Sequence, residues 1–123
     1  METSCLKIGS ILIVTFQSNL RDEEMIKLKN DIIQKVKENR ATGVIIDVTV
    51  LDLIDSFASR VISNLAEMIR LCGAYTVMVG IHPSAAYAMV QLGLTFTNVE
   101  TALDVDDGLE LLKKHMEEPD RNG

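Results

Sequence analysis

Apolar and polar positions change period several times along this chain, and each change marks an element. Leu6 to Ile8 and Ile11 to Phe16 are short apolar runs separated by Gly9-Ser10, which predicts two strands joined by a tight turn. From Arg21 to Arg40 the apolar positions Met25, Leu28, Ile32, Ile33 and Val36 recur at helical spacing, so one face of a helix is buried. Asp22, Glu23 and Glu24 crowd its start, where the helix dipole favours negative charge. Gly43 to Val48 is almost continuously apolar, as expected of a central parallel strand covered on both faces.

Phe57, Val61, Leu65, Met68, Ile69 and Cys72 define the stripe of a second helix, closed by Gly73. Tyr75 to Val79 reads as the next strand. Pro83 is placed to start a helix that runs to Leu92 and ends at Gly93. A short strand at Phe96 to Val99 then precedes a last helix, Val105 to Met116, with Val105, Leu109, Leu112 and Met116 on one face. Strands alternating with helices predict a single α/β domain over residues 1–117, followed by a polar tail, 118–123.

Composition narrows the function more than the fold. With 123 residues the chain is long enough for one domain with a core that needs neither disulfide nor metal. A net charge of −6 repels a phosphate backbone, and the absence of Trp removes the usual stacking platform, so nucleic acid is not an expected partner. Cys5 and Cys72 belong to no ligand pattern and are expected to be reduced, mostly buried thiols. No apolar run is long enough for a membrane span, and Ile11 to Phe16 lacks the flanks of a signal peptide. These features predict a cytoplasmic protein without a membrane partner.

Between Leu71 and Val99 there is no Asp, Glu, Lys or Arg. Two readings stay open for this tract: a small-residue helix, Ser84 to Ala88, tucked against the sheet, or a surface that faces another subunit.

The segment Val48 to Arg60, VTVLDLIDSFASR, carries the candidate chemistry. It leads from the central strand through a loop of Leu, Ile and Asp residues to Ser56, in the first turn of the second helix. Ser56 has a structural explanation as a helix cap, a role worth roughly 0.5–2 kcal/mol. Asp55 beside it is a second capping-type residue, more than one cap requires. Leu51, Leu53 and Ile54 make an apolar rim around a modifiable hydroxyl, which suits a docking site.

The run VIIDVTVLDLIDSFASRVI, the helix after GIHPSAA and the closing ETALDVDDGLELL resemble the STAS family of anti-sigma-factor antagonists over nearly the whole chain. Within it the chain resembles the single-domain scaffold antagonists of the bacterial stressosome. The resemblance implies a mixed sheet of roughly four or five strands packed with about four helices. By position it implies that Ser56 is the phosphoacceptor and Asp55 the preceding acid of the DSF tripeptide. It also implies that Asp47 and Thr49 are the strand-end Asp and its nearby Thr. The implied partners are a serine/threonine switch kinase, sequestered until Ser56 is phosphorylated, a multidomain STAS sensor paralogue, and a phosphatase that resets Ser56. A homo-oligomer or hetero-assembly is expected, with a docking epitope of Leu51, Leu53, Ile54, Asp55, Ser56 and Phe57 and with Ser59 and Arg60 at its margin.

Other chemistries find less support in the residues. Asp47, Asp52 and Asp55 could in principle gather a hard cation, but each has a local explanation as strand end, turn or cap, so neither a metal nor a cofactor is expected. Ser56, His82 and Asp47 or Asp55 lie after neighbouring strands and form the raw material of a small hydrolase. No glycines flank Ser56 to permit a nucleophile elbow, and His82 before Pro83 reads more simply as a loop residue. The expectation is a non-enzymatic, phosphorylation-controlled antagonist. A soluble anti-anti-sigma factor is the alternative within signalling and the Ser/His hydrolase the alternative outside it.

Overall fold

A computed structural model describes residues 4–117 apart from Thr95 and Thr97. Nine elements follow in chain order: β1 (Ser4–Ile8), β2 (Ile11–Thr15), α1 (Asp22–Asn39), β3 (Gly43–Asp47), α2 (Ser56–Leu71), β4 (Tyr75–Val79), α3 (Pro83–Gln91), β5 (Val99–Ala102) and α4 (Val105–Glu117). The strands form one sheet in the order β1-β2-β3-β4-β5. β1 runs antiparallel to β2, with Leu6 opposite Ile13, and the remaining pairs are parallel.

Helices cover the two faces unequally. On one, Met25, Leu28, Ile32 and Val36 of α1 and Val61, Ile62, Leu65 and Ile69 of α2 pack over Leu12, Val14, Val44, Ile46 and Met78. α3 adds Ala85 and Met89 to that core. On the other, α4 alone covers Ile45, Val77 and Val79, with Leu112 fully buried. Two glycines permit this approach: a Cβ on Gly108 would stand 3.0 Å from Val79, and one on Gly43 would stand 3.0 Å from Leu112. β3 is therefore covered on both faces, as its unbroken apolar run predicts.

Parallel strands returned by helices put every helix start at the carboxyl edge of the sheet. The caps follow from residues found there. Glu24 accepts the Arg21 backbone N–H at the start of α1, Asp55 caps α2, and Asp104 accepts the Asp107 N–H at the start of α4. The helix ends are equally local: Arg40 closes α1 at φ 49°, and Gly73 and Gly93 take positive φ beyond α2 and α3.

Three expectations are corrected, and one open reading is narrowed. β5 begins at Val99, where the expected strand ended, because the half-buried Phe96 packs into the core as a loop residue while Glu100 and Thr101 extend the edge. Thr95 and Thr97 of the expected strand lie outside the described residues, as does the tail 118–123. Cys72 is exposed, since the chain leaves the α2 stripe at Leu71, whereas Cys5 is half-buried and burial holds its thiol above the ordinary value. Met116 is 38% exposed, and Gly108 and Leu112 instead form the buried face of α4. Finally, α3 is not tucked in as a whole. Ala85 and Met89 are buried, but Tyr87 and Val90 are 69% and 76% exposed.

Candidate functional site

The end of β3 is fixed from both sides. The Phe16 N–H donates to the Asp47 carbonyl, and the Val48 N–H donates to the Val79 carbonyl. Beyond it the chain turns at once. Asp47 Oδ1 accepts from the Thr49 N–H at 2.9 Å and from the Thr49 hydroxyl at 2.5 Å, while the Leu51 N–H reaches back to the Val48 carbonyl. Leu51 and Ile54 then insert into the core, Ile54 without any exposure. Asp52 and Leu53, lying between those two anchors, are turned outwards.

Asp55 ends the loop and caps α2, its Oδ1 accepting the Ala58 N–H at 2.8 Å. Ser56 is consequently the first helical residue rather than the cap, and it is exposed. Among the described residues no group takes its hydroxyl as a hydrogen-bond partner. Arg60, also exposed, follows one turn later on the same side of α2.

Neighbouring strands bring a second loop to this edge. His82 Nε2–H donates to the Thr49 carbonyl at 2.6 Å, and the Ser84 hydroxyl donates to the Asp52 carbonyl at 3.2 Å. Gly80, at φ 79°, lies so close that a Cβ there would overlap the Thr49 hydroxyl. Gly80 and Ser84 carried no signal in the sequence beyond their place after a strand adjacent to β3 in a parallel sheet, which is the rule that could have found them.

The expected epitope thus divides in two. Leu53, Asp55, Ser56 and Arg60 are exposed, Thr49 as well, and Asp47 and Phe57 are half-buried. Leu51, Ile54 and Ser59 belong to the interior, at 8%, 0% and 4% exposure. Their side chains hold the loop from below and are not offered to a partner. A loop has no period, so its sequence could not separate anchors from exposed residues.

The groups a hydrolase would need are engaged elsewhere. His82 donates to a carbonyl, Asp47 receives Thr49, and Asp55 receives a helix N–H. Among the described residues no group of three or more His, Cys, Asp or Glu could hold a metal ion, and no helix is long and apolar enough to cross a membrane.

A mixed sheet of this order, with three helices on one face and one on the other, agrees with a sequence profile: the STAS domain family matches residues 4–108. The chain belongs to the STAS family. Among curated relatives, RsbRA, the RsbT co-antagonist of Bacillus subtilis (strain 168), is 25% identical over 82% of this chain. The match covers 37% of RsbRA, so this chain spans little more than a third of that relative's length. The uncharacterized YezB of the same organism is 30% identical over 59% of this chain and 74% of its own. Of solved structures, a serine-to-glutamate variant of RsbS from Moorella thermoacetica superposes with a TM-score of 0.82 at 26% identity, covering 96% of this chain and all of that one. A chain from the molecular architecture of the stressosome, a signal integration and transduction hub, superposes with a TM-score of 0.79 at 28% identity, covering 94% and 100%. This STAS domain accordingly has the anti-sigma-factor antagonist fold and stands near the stressosome component RsbS.

Proposed function

We propose that this STAS domain is a non-enzymatic, phosphorylation-controlled scaffold and antagonist of a stressosome-like, cytoplasmic partner-switching complex. It sequesters a serine/threonine switch kinase until that kinase phosphorylates Ser56. A multidomain STAS sensor paralogue co-assembles with it, and a phosphatase resets the serine. One observation carries this reading: Asp55 does the capping, which leaves the Ser56 hydroxyl exposed and unengaged at a helix start. In the transfer, Ser56 Oγ bonds to the γ-phosphorus of ATP on the kinase, ADP leaves, and the hydroxyl proton passes to the kinase's base.

Magnitudes explain why such a mark would switch the contact and spare the fold. The phosphate brings roughly −1.5 to −2 charges to a helix N-terminus, where the dipole stabilises it by about 0.3–1 kcal/mol. An Arg60 ion pair one turn away adds about 0.2–0.5 kcal/mol. Against an acidic group of a docked partner about 6 Å away, a single charge costs about 3 kcal/mol at an effective dielectric near 20. Leu53 and Phe57 give a partner apolar area to cover, and covering it would strip water from the dianion.

Incubation with the switch kinase and ATP, followed by mass-spectrometric site mapping, tests the assignment. Phosphate on Ser56 and none on Ser56→Ala is the expected result; equal labelling of Ser56→Ala overturns it. Light scattering with the sensor paralogue distinguishes the soluble anti-anti-sigma reading, because the scaffold forms a megadalton co-assembly and the soluble factor does not.

A further inference from the structure

The loop that presents Ser56 is held from two directions, and only one of them is the core. From below, Leu51 and Ile54 fix its middle and its end. Its outward stretch is tied sideways. Two of its carbonyls, Thr49 and Asp52, are taken by His82 and Ser84, which flank Pro83 at the start of α3. Gly80, just before them, presses against Thr49 with no room for a side chain. These contacts join segments more than thirty residues apart in sequence, at |i−j| of 33 and 32.

From this juxtaposition we infer that His82 and Ser84 are positioning residues for phosphorylation of Ser56. They latch the phosphoacceptor loop to the first turn of α3, so the geometry in which the kinase meets Ser56 is set from the neighbouring strand's loop. The inference rests on the assignment of Ser56 as phosphoacceptor. Its physical content does not, since the latch is a property of the unmodified chain.

The chemistry of the latch is specific. A carbonyl in an exposed loop can be satisfied by water as well as by a side chain, so the hydrogen bond adds little to global stability. What it adds is restraint: Pro83 limits the backbone of His82 just before it, at the helix start, and the imidazole's bond removes one hinge from the loop. Asp47 completes the arrangement by holding the Thr49 N–H and hydroxyl, which leaves the Thr49 carbonyl aimed at His82. Loss of the latch should loosen the stretch from Thr49 to Leu53 about its Leu51 anchor, while Ile54 and the Asp55 cap keep α2 in place. The kinase would then have to order that stretch on docking.

Two measurements on the full chain test this. Hydrogen exchange without kinase should show the Thr49 and Leu51 amides exchanging about tenfold faster in His82→Ala, with the Ala58 amide and the melting temperature little changed. His82→Gln, which keeps an N–H donor within reach of the carbonyl, should restore slow exchange. Steady-state phosphorylation by the switch kinase should show KM raised about five- to tenfold in His82→Ala with kcat near wild type, and His82→Gln should recover most of it. Ser84→Ala should act in the same direction, more weakly, and serves as the second variant should His82→Ala fold poorly. Wild-type exchange and wild-type KM in both alanine variants overturn the latch. Wild-type protein that takes no phosphate on Ser56 overturns the phosphoacceptor assignment instead, and the exchange data still decide whether the latch exists.

Discussion

Around Ser56, at the carboxyl edge of the sheet, side chains mostly bind backbone; around Tyr75, at the amino edge, they bind one another. Around Ser56, Asp47, Asp55, His82 and Ser84 each hold a main-chain group, and the serine itself is left over. At the opposite edge the Tyr75 ring stacks on His115, with centroids 5.0 Å apart and planes 18° apart, and the Arg70 guanidinium sits 4.5 Å from the same ring's centre. His115 in turn pairs with Glu100, and Ser10 and Thr42 share a hydrogen bond of 2.7 Å. This second cluster staples the end of α4 to the sheet, because Tyr75 opens β4, Glu100 lies in β5 and His115 lies in the last turn of α4.

Charge divides the same way. Helix starts gather Asp22, Glu23, Glu24, Asp106 and Asp107 at the carboxyl edge, and helix ends gather Lys37, Arg70, Lys114 and His115 at the amino edge. Both arrangements suit the dipoles. The carboxyl edge combines them with the unengaged Ser56 hydroxyl and an exposed Leu53, at 61%. A histidine could be read as functional at either edge, yet His115, paired with Glu100, is a staple at one and His82, donating to a carbonyl, is part of a loop support at the other.

Three substitutions bear on this contrast. The largest effect is expected at Ile54, which belongs to both core and loop. Ile54→Ala should cost about 2–5 kcal/mol in urea unfolding and also impair Ser56 phosphorylation. Unimpaired phosphorylation would mean that the loop needs no anchor below it. Tyr75→Ala should cost about 1–2 kcal/mol by removing a stacked ring and a cation–π contact, yet leave the kinase reaction at wild-type rates. A slowed reaction in that variant would break the separation of the two edges.

The smallest effect concerns Glu24, whose carboxyl is held below the ordinary carboxylate range chiefly by the Arg21 backbone N–H and then by the Arg21 side chain. A lowered folded pKa contributes stability above the unfolded value and loses it as pH falls through the folded one. Wild type should therefore melt slightly above Glu24→Gln at neutral pH, and the gap should close in acid. A gap that widens on acidification contradicts the assignment.

Most of the secondary structure was legible because it rests on short-range rules. Met25, Leu28, Ile32 and Val36 repeat at helical spacing, and all are buried. Gly9 and Gly73 stand where a positive φ is needed, and both take it. The exception is β5, an edge strand with both outer faces partly wet, whose sequence Val99–Ala102 carries no unbroken apolar run to announce it. Phe96 looked like a strand residue because an aromatic is apolar wherever it packs.

The candidate site was half legible. DSF named the serine, and adjacent capping residues showed that one of them was spare. Which one was spare depended on where the helical backbone begins: Asp55 is still extended, with ψ 179°, and turns its oxygen to the Ala58 N–H. Leu51, Ile54 and Ser59 were indistinguishable from their exposed neighbours until the core closed over them.

By itself, then, the order of residues determined the alternation of strand and helix, the acidic helix starts and the placing of a serine beside a capping residue at the start of α2. Each of these depends on neighbours within a turn or a pleat. Tertiary structure alone decided that half the loop is anchor and that His82 and Ser84 reach it. Those outcomes depend on which strands lie side by side, and a hydrogen bond across more than thirty residues of chain forms only after the sheet has brought its two partners together.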